Sequence, residues 1–127
     1  MASGRAGAQR PPAPDLAHLS LLLELLEAAA LPLPGVTRRR MFGCDALFAD
    51  REIFALVWKE GRIGLKFADP ADRSRLDGLP GTSPWAPGGK QMRQWRLLPE
   101  KIEGDPVSFS AWVERAHAEA VGRSRDK

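Results

Sequence analysis

The sequence predicts an α+β domain: a two-layer antiparallel sheet of about four to five strands, packed by an N-terminal and a C-terminal helix. Three observations lead there. A leucine-rich run at 16–30 has helical spacing, the stretch 37–68 has a period of two with turn signals inside it, and 106–121 returns to helical spacing. Strands grouped in a run, with helices before and after and no internal repeat, point to helices layered on a sheet. The 127 residues suit one domain.

Residues 1–14, MASGRAGAQRPPAP, lack an apolar period and are expected to form a disordered tail. Asp15 reads as the N-cap of the first helix, which Pro32 and Pro34 end after Ala30. On that helix Ser20, Glu24 and Glu27 share a narrow sector. Leu16, Leu19, Leu22, Leu23 and Leu26 spread over much of the rest, and Leu21 and Leu25 widen the arc. An apolar surface so wide is expected to be covered on more than one side, by the sheet and by another helix or a second subunit.

From Thr37 to Ala68 the expectation is a three-stranded antiparallel meander. Phe42, Cys44, Ala46 and Phe48 alternate with more polar or small residues, and Asp50-Arg51 makes a tight connection. Phe54, Leu56 and Trp58 should share one face of the next strand, with Ile53, Ala55 and Val57 on the other. Glu60-Gly61 is a turn signal, and Ile63, Leu65 and Phe67 form the third apolar face. Asp69-Pro70 reads as a capped start for a short helix that ends at Asp77-Gly78. Residues 79–90, LPGTSPWAPGGK, are proline- and glycine-rich and read as a long loop. A strand-like run at 91–98 holds Trp95 and Leu97. Asp105-Pro106 opens the last helix, in which Phe109, Trp112, Val113, Ala116 and Ala120 recur at helical spacing, and Gly122 should stop it. The folded body is then 15–121, and 122–127 is a basic C-terminal tail.

The net charge is +3, but it is unevenly placed. Each predicted tail carries +2, which leaves the body at −1. Attraction to phosphate would therefore reside mainly in the tails. A single cysteine, Cys44, excludes an internal disulfide and favours a reducing, cytoplasmic compartment. Glu24 and Glu27 argue against reading the leucine-rich run as a signal peptide or a membrane span.

Four segments occur in a telling order: RRRMFG at 38–43, IFALVWKEGRIGLKFAD at 53–69, MRQWRLLPEKIEGD at 92–105 and FSAWVERAHAEA at 109–120. Together they resemble the N-terminal domain of the TfoX/Sxy family, bacterial proteins linked to regulation of DNA-uptake competence. The resemblance spans about residues 15 to 121 and implies an antiparallel sheet with helices packed on it. Some members carry a second, helical C-terminal domain; this chain ends at Lys127, so a stand-alone N-terminal-like domain is expected. It differs from the family pattern in having Cys44-Asp45-Ala46 after Met-Phe-Gly, and Trp95 where tyrosines are usual.

No motif assembles a reactive centre. Cys44 has no base nearby in sequence, and His18 and His117 sit in predicted helices without metal-ligand spacing. The carboxylate pairs Asp69/Asp72 and Glu100/Glu103 read as helix-start or turn residues. PGGK at 87–90 lacks the longer frame of a phosphate loop. No catalytic residue, cofactor or metal is expected.

Candidate partner contacts are Arg38, Arg40, Lys66, Trp85, Lys90, Arg93 and Trp95. On a strand Arg38 and Arg40 point one way and Arg39 the other, so the three cannot form one comb. An exposed Trp85 beside Lys90 and Arg93 would make an interface anchor. The expected function is a non-enzymatic regulatory or protein-interaction module, homodimeric through the first helix, with a protein partner and no membrane. The alternative is a nucleic-acid-binding protein that uses an arginine-rich sheet face, Trp95 as a stacking platform and the basic tails.

Overall fold

The computed structural model describes residues 15–126; the N-terminal tail expected at 1–14 lies outside the described residues. Helix α1 (Leu16–Ala30) begins at Asp15, whose carboxylate accepts the His18 backbone N–H at 3.2 Å. Strands β1 (Val36–Met41), β2 (Cys44–Ala49), β3 (Glu52–Trp58) and β4 (Arg62–Lys66) follow in succession. Helix α2 (Pro70–Asp77), strands β5 (Ser83–Pro84) and β6 (Trp95–Leu97) and helix α3 (Pro106–Arg125) complete the chain. The sheet order is β1-β2-β3-β4-β6-β5, with every neighbouring pair antiparallel. The class is α+β as predicted, with six strands rather than four or five.

The additional strands arise at two places. The run from Thr37 to Phe48 is a hairpin, not one strand. Phe42 (φ 57°) and Gly43 (φ 76°) form a two-residue turn that pairs Met41 with Cys44. Such turns need left-handed backbone at both central positions, which glycine adopts freely and phenylalanine does not. Edge-on contact of the Phe42 ring with Trp85, at 5.2 Å between centroids, holds the unusual conformation. The second addition is β5, a two-residue strand inside the predicted 79–90 loop, which pairs with β6.

β3 also departs from strict alternation. Leu47 pairs with Ala55 and Phe48 with Ile53, which leaves Phe54 as the extra residue of a β-bulge. Phe54, Ala55 and Val57 therefore join the helix-covered core, while Ile53, Leu56 and Trp58 face the opposite way. The expected grouping of Phe54 with Leu56 and Trp58 is corrected by that one inserted position.

Both faces of the sheet bury apolar residues. On one, Leu22, Leu26 and Ala30 of α1, Leu76 of α2, and Phe109, Val113, Ala116 and Ala120 of α3 pack against Leu47, Phe54, Val57, Ile63, Leu65 and Phe67. Asp69 and Asp105 cap α2 and α3 by accepting the Ala71 and Ser108 N–H groups, with Pro70 and Pro106 at the first helical positions. Helix α3 does not stop at Gly122. It continues to Arg125, so most of the predicted basic tail is helical, and Arg123 packs back on β3 through Glu52 at 3.3 Å.

Among the described residues the other face carries no α-helix. Cys44, Ala46, Phe48, Leu56, Trp58, Trp95 and Leu97 are covered there by the 79–94 segment, which places Trp85 among them. Gly64 lies at the centre of this face. A Cβ on it would sit 3.1 Å from Leu56 Cδ1 and 3.4 Å from Leu97 Cδ2, so a side chain here would push those leucines aside by a few tenths of an ångström.

Arg62 fastens the covering segment. Its guanidinium donates to Leu98 O at 2.7 Å, Gly81 O at 2.8 Å and Ser83 Oγ at 3.0 Å. Arg62→Met keeps the apolar stem and removes these donors, leaving acceptors unmet at about 1–3 kcal/mol. The expected result is faster amide hydrogen exchange across 79–94, with protection in α3 retained.

Candidate functional site

The arginines that open β1 are each engaged within the fold. Arg38 donates to Glu27 of α1 at 2.8 Å, and Arg40 donates to Gly43 O at 2.9 Å and lies 3.4 Å from Asp45. Arg39, on the other face, stacks over the Phe48 ring at 5.0 Å. The alternation expected from strand geometry holds, and no arginine comb forms. These are exposed pairs, of the kind that contributes about 0–1 kcal/mol, but they position the side chains against their own sheet.

Trp85 and Trp95, expected as partner contacts, are 1% and 3% exposed. Trp85 meets Trp58 at 5.3 Å and Trp95 at 5.1 Å, both edge-on. They are core residues of the helix-free face and are not accessible to a partner in this conformation. Lys66 is half-buried and lies opposite Trp95 in the β4–β6 register. Lys90 and Arg93 are exposed on the segment that crosses this face. The structure thus gathers Lys66, Trp85 and Trp95 on one sheet face and leaves Arg38 and Arg40 on the other.

Cys44 is buried, and its thiol donates to Met41 O at 3.2 Å. Burial pushes its pKa up to about 11, against the lowering effect of Arg40, so at neutral pH it is a thiol and a poor nucleophile. The two histidines have different surroundings. His18 lies against the turn at Gly61, where a Cβ would come within 3.1 Å of its ring. His117 Nε2 donates to Pro34 O at 2.8 Å.

One acidic group does form in space. Carboxylate oxygens of Asp69, Asp72 and Glu119 lie within 4.8 Å of one another. Arg115 already sits on both oxygens of Asp72 at 3.1 Å, and Glu119 Oε1 accepts the Ala68 and Asp69 N–H groups at 2.8 and 3.2 Å. The cluster reads as a helix-start brace. Sequence reading found Asp69 and Asp72 but not Glu119, which lies far along the chain on α3 and carries no local signal.

A concave surface among the described residues lies where the N-terminal half of α1 parts from the sheet. It is a cleft of about 520 Å³, walled by Leu16, Leu19, Leu23 and Val57, with Cys44 and Asp45 from β2 and exposed Arg40 and Lys59 also lining it. Leu16 is 74% exposed and Leu21 47%, while Met41 and Phe42 are exposed at the tip of the β1–β2 hairpin. The wide apolar arc of α1 is therefore covered by the domain only in part: Leu22 and Leu26 are buried, and Leu16 and Leu21 are not.

Residues 28–120 match the TfoX N-terminal domain family, which takes in the end of α1, all six strands, α2 and most of α3. The chain belongs to the TfoX N-terminal domain family. A comparison with curated proteins returned no match. In this TfoX N-terminal domain, the Met-Phe-Gly segment has a structural role: Met41 ends β1, and Phe42-Gly43 make the turn whose aromatic ring meets Trp85. The cleft-forming N-terminal half of α1, with Leu16 and Leu21, lies before the matched region. Among the described residues no helix is long and apolar enough to cross a membrane.

Proposed function

We propose that this TfoX N-terminal domain is a non-enzymatic, cytoplasmic interaction module of the competence-regulator type, and that it docks a second copy of itself through the cleft beside α1. One observation carries the reading: the helix that walls the cleft also presents Leu16, 74% exposed, at its mouth. In a two-fold pair the same patch serves as knob and as hole, with Leu16 of each copy entering the cleft of the other. Arg40 is already paired with Asp45, and Lys59, which lies over the Trp58 ring at 5.2 Å, can keep its ammonium in water at the rim. Exposed apolar side chains beside an apolar cleft are the usual mark of an interaction site. The protonated state of Cys44 and the local engagement of both histidines support a role without catalysis.

Sedimentation at high micromolar concentration tests the reading. The full chain is expected as a dimer and Leu16→Glu as a monomer. Since Leu16 is exposed, the variant should keep its unfolding free energy within about 0.5 kcal/mol. A strict monomer for the unmodified chain sinks the proposal.

A further inference from the structure

The contact between α2 and α3 holds two carboxyl groups whose hydrogen bonding is incomplete unless a proton lies between them. Glu119 Oε1 is satisfied by the Ala68 and Asp69 N–H groups. Glu119 Oε2 is buried and has no hydrogen-bond partner among the described residues. Asp72, with a carboxylate oxygen within 4.8 Å of one on Glu119, is buried on the first turn of α2 and takes Arg115 at 3.1 Å on both oxygens and Arg75 at 3.4 Å on one.

The surrounding charged groups make local contacts, and one of their donors, Arg123 Nη1, is buried without a hydrogen-bond partner among the described residues. Arg123 Nη1 is 3.7 Å from Glu119 Oε1, and the same guanidinium is bound to Glu52 of β3 at 3.3 Å. Arg73 donates to Phe67 O and Ala68 O at 2.8 and 2.9 Å. Asp69 is exposed and caps α2. Two ionised carboxylates side by side in a buried contact repel, and an acceptor with no donor is costly there. One shared proton removes both penalties.

We propose that Glu119 and Asp72 share one proton across the α2–α3 contact, with Glu119 Oε2 as donor and the Asp72 carboxylate as acceptor, making a clamp that loosens as rising pH removes that proton. The electrostatics agree in direction. Burial, then the neighbouring Asp72 carboxyl, hold the Glu119 carboxyl above its ordinary 4.5. The neighbouring Glu119 carboxyl, with Arg115, holds Asp72 below its ordinary 3.8. The sign follows from linkage. The folded chain keeps a proton on Glu119 that the unfolded chain gives up above 4.5, so this contribution is full below that value and is lost as pH rises through the folded-state value. Asp72 acts the other way, and its contribution is lost only in acid below 3.8. The far end of α2 makes a separate ion pair, Arg96 on Asp77 at 2.6 Å.

Carboxyl ¹³C shifts of the unmodified full chain, followed with pH, test the proposal without any variant. Glu119 is expected to titrate above 4.5, and titration at or below that value overturns the proposal. Glu119→Gln supplies a permanent amide donor that does not titrate. The melting temperature of the unmodified chain should fall relative to this variant as pH rises through the Glu119 titration, while parallel profiles overturn the clamp. Asp72→Asn should move the Glu119 titration back towards its ordinary range; no movement refutes the sharing. Added magnesium should leave the alkaline melting temperature unchanged. A rise seen in the unmodified chain and absent in Glu119→Gln assigns the carboxyls to a cation and overturns the shared proton.

Discussion

Trp85→Ala is expected to destabilise the domain by about 3–5 kcal/mol, the range for removing a fully buried large aromatic. That is a large share of the ~5–15 kcal/mol that separates folded from unfolded states in domains of this kind. Trp85 is 1% exposed and touches Phe42, Trp58 and Trp95 through edge-on ring contacts of 5.1 to 5.3 Å. Among the described residues no α-helix covers this face to fill the space. The cavity would open to solvent, Phe42 would lose the contact that holds its left-handed turn, and Trp58 and Trp95 would become wet. Denaturant unfolding measures the loss, and a red shift in the remaining tryptophan emission reports the exposure. A variant as stable as the parent, with unshifted emission, would return Trp85 to the surface, where it would be an anchor for a partner.

Phe54→Ala should cost a similar amount, about 3–5 kcal/mol, because Phe54 is fully buried between β3 and α3. Its ring meets His117 edge-on at 5.6 Å, and His117 in turn holds Pro34 O, so the residue links the sheet, α3 and the turn after α1. A double-mutant cycle of Phe54→Ala with His117→Ala isolates that contact. A coupling of about 0.5–1.5 kcal/mol is expected for a ring pair of this geometry. Strict alternation along β3 would instead put Phe54 beside Leu56 and Trp58, away from α3, and would give no coupling. The cycle therefore tests the bulge as well as the energy.

Much of the fold was legible in the residues because it is written in short-range chemistry. Asp15, Asp69-Pro70 and Asp105-Pro106 marked the three helix starts, since a capping carboxylate and a pre-set φ act within one turn. The alternation of Ile63, Leu65 and Phe67 gave the correct buried face of β4. The hairpin at Phe42-Gly43 escaped because its first turn residue is a phenylalanine, and the pull of Trp85 that tolerates it lies more than forty residues away. Gly122 did not end α3, because Arg123 gains partners on β3 by continuing the helix.

The candidate sites divide in the same way. The chain alone determined that Arg38 and Arg40 point opposite to Arg39, that the helix starts are capped, and that α1 carries more apolar surface than one contact covers. Those properties follow from backbone period and local hydrogen bonding. Only the tertiary structure decided that Trp85 and Trp95 are core, that the open apolar surface lies at the Leu16 end of α1, and that Glu119 meets Asp72. Burial and carboxyl pairing depend on which distant segments share a neighbourhood, and residue spacing along a chain does not encode that distance.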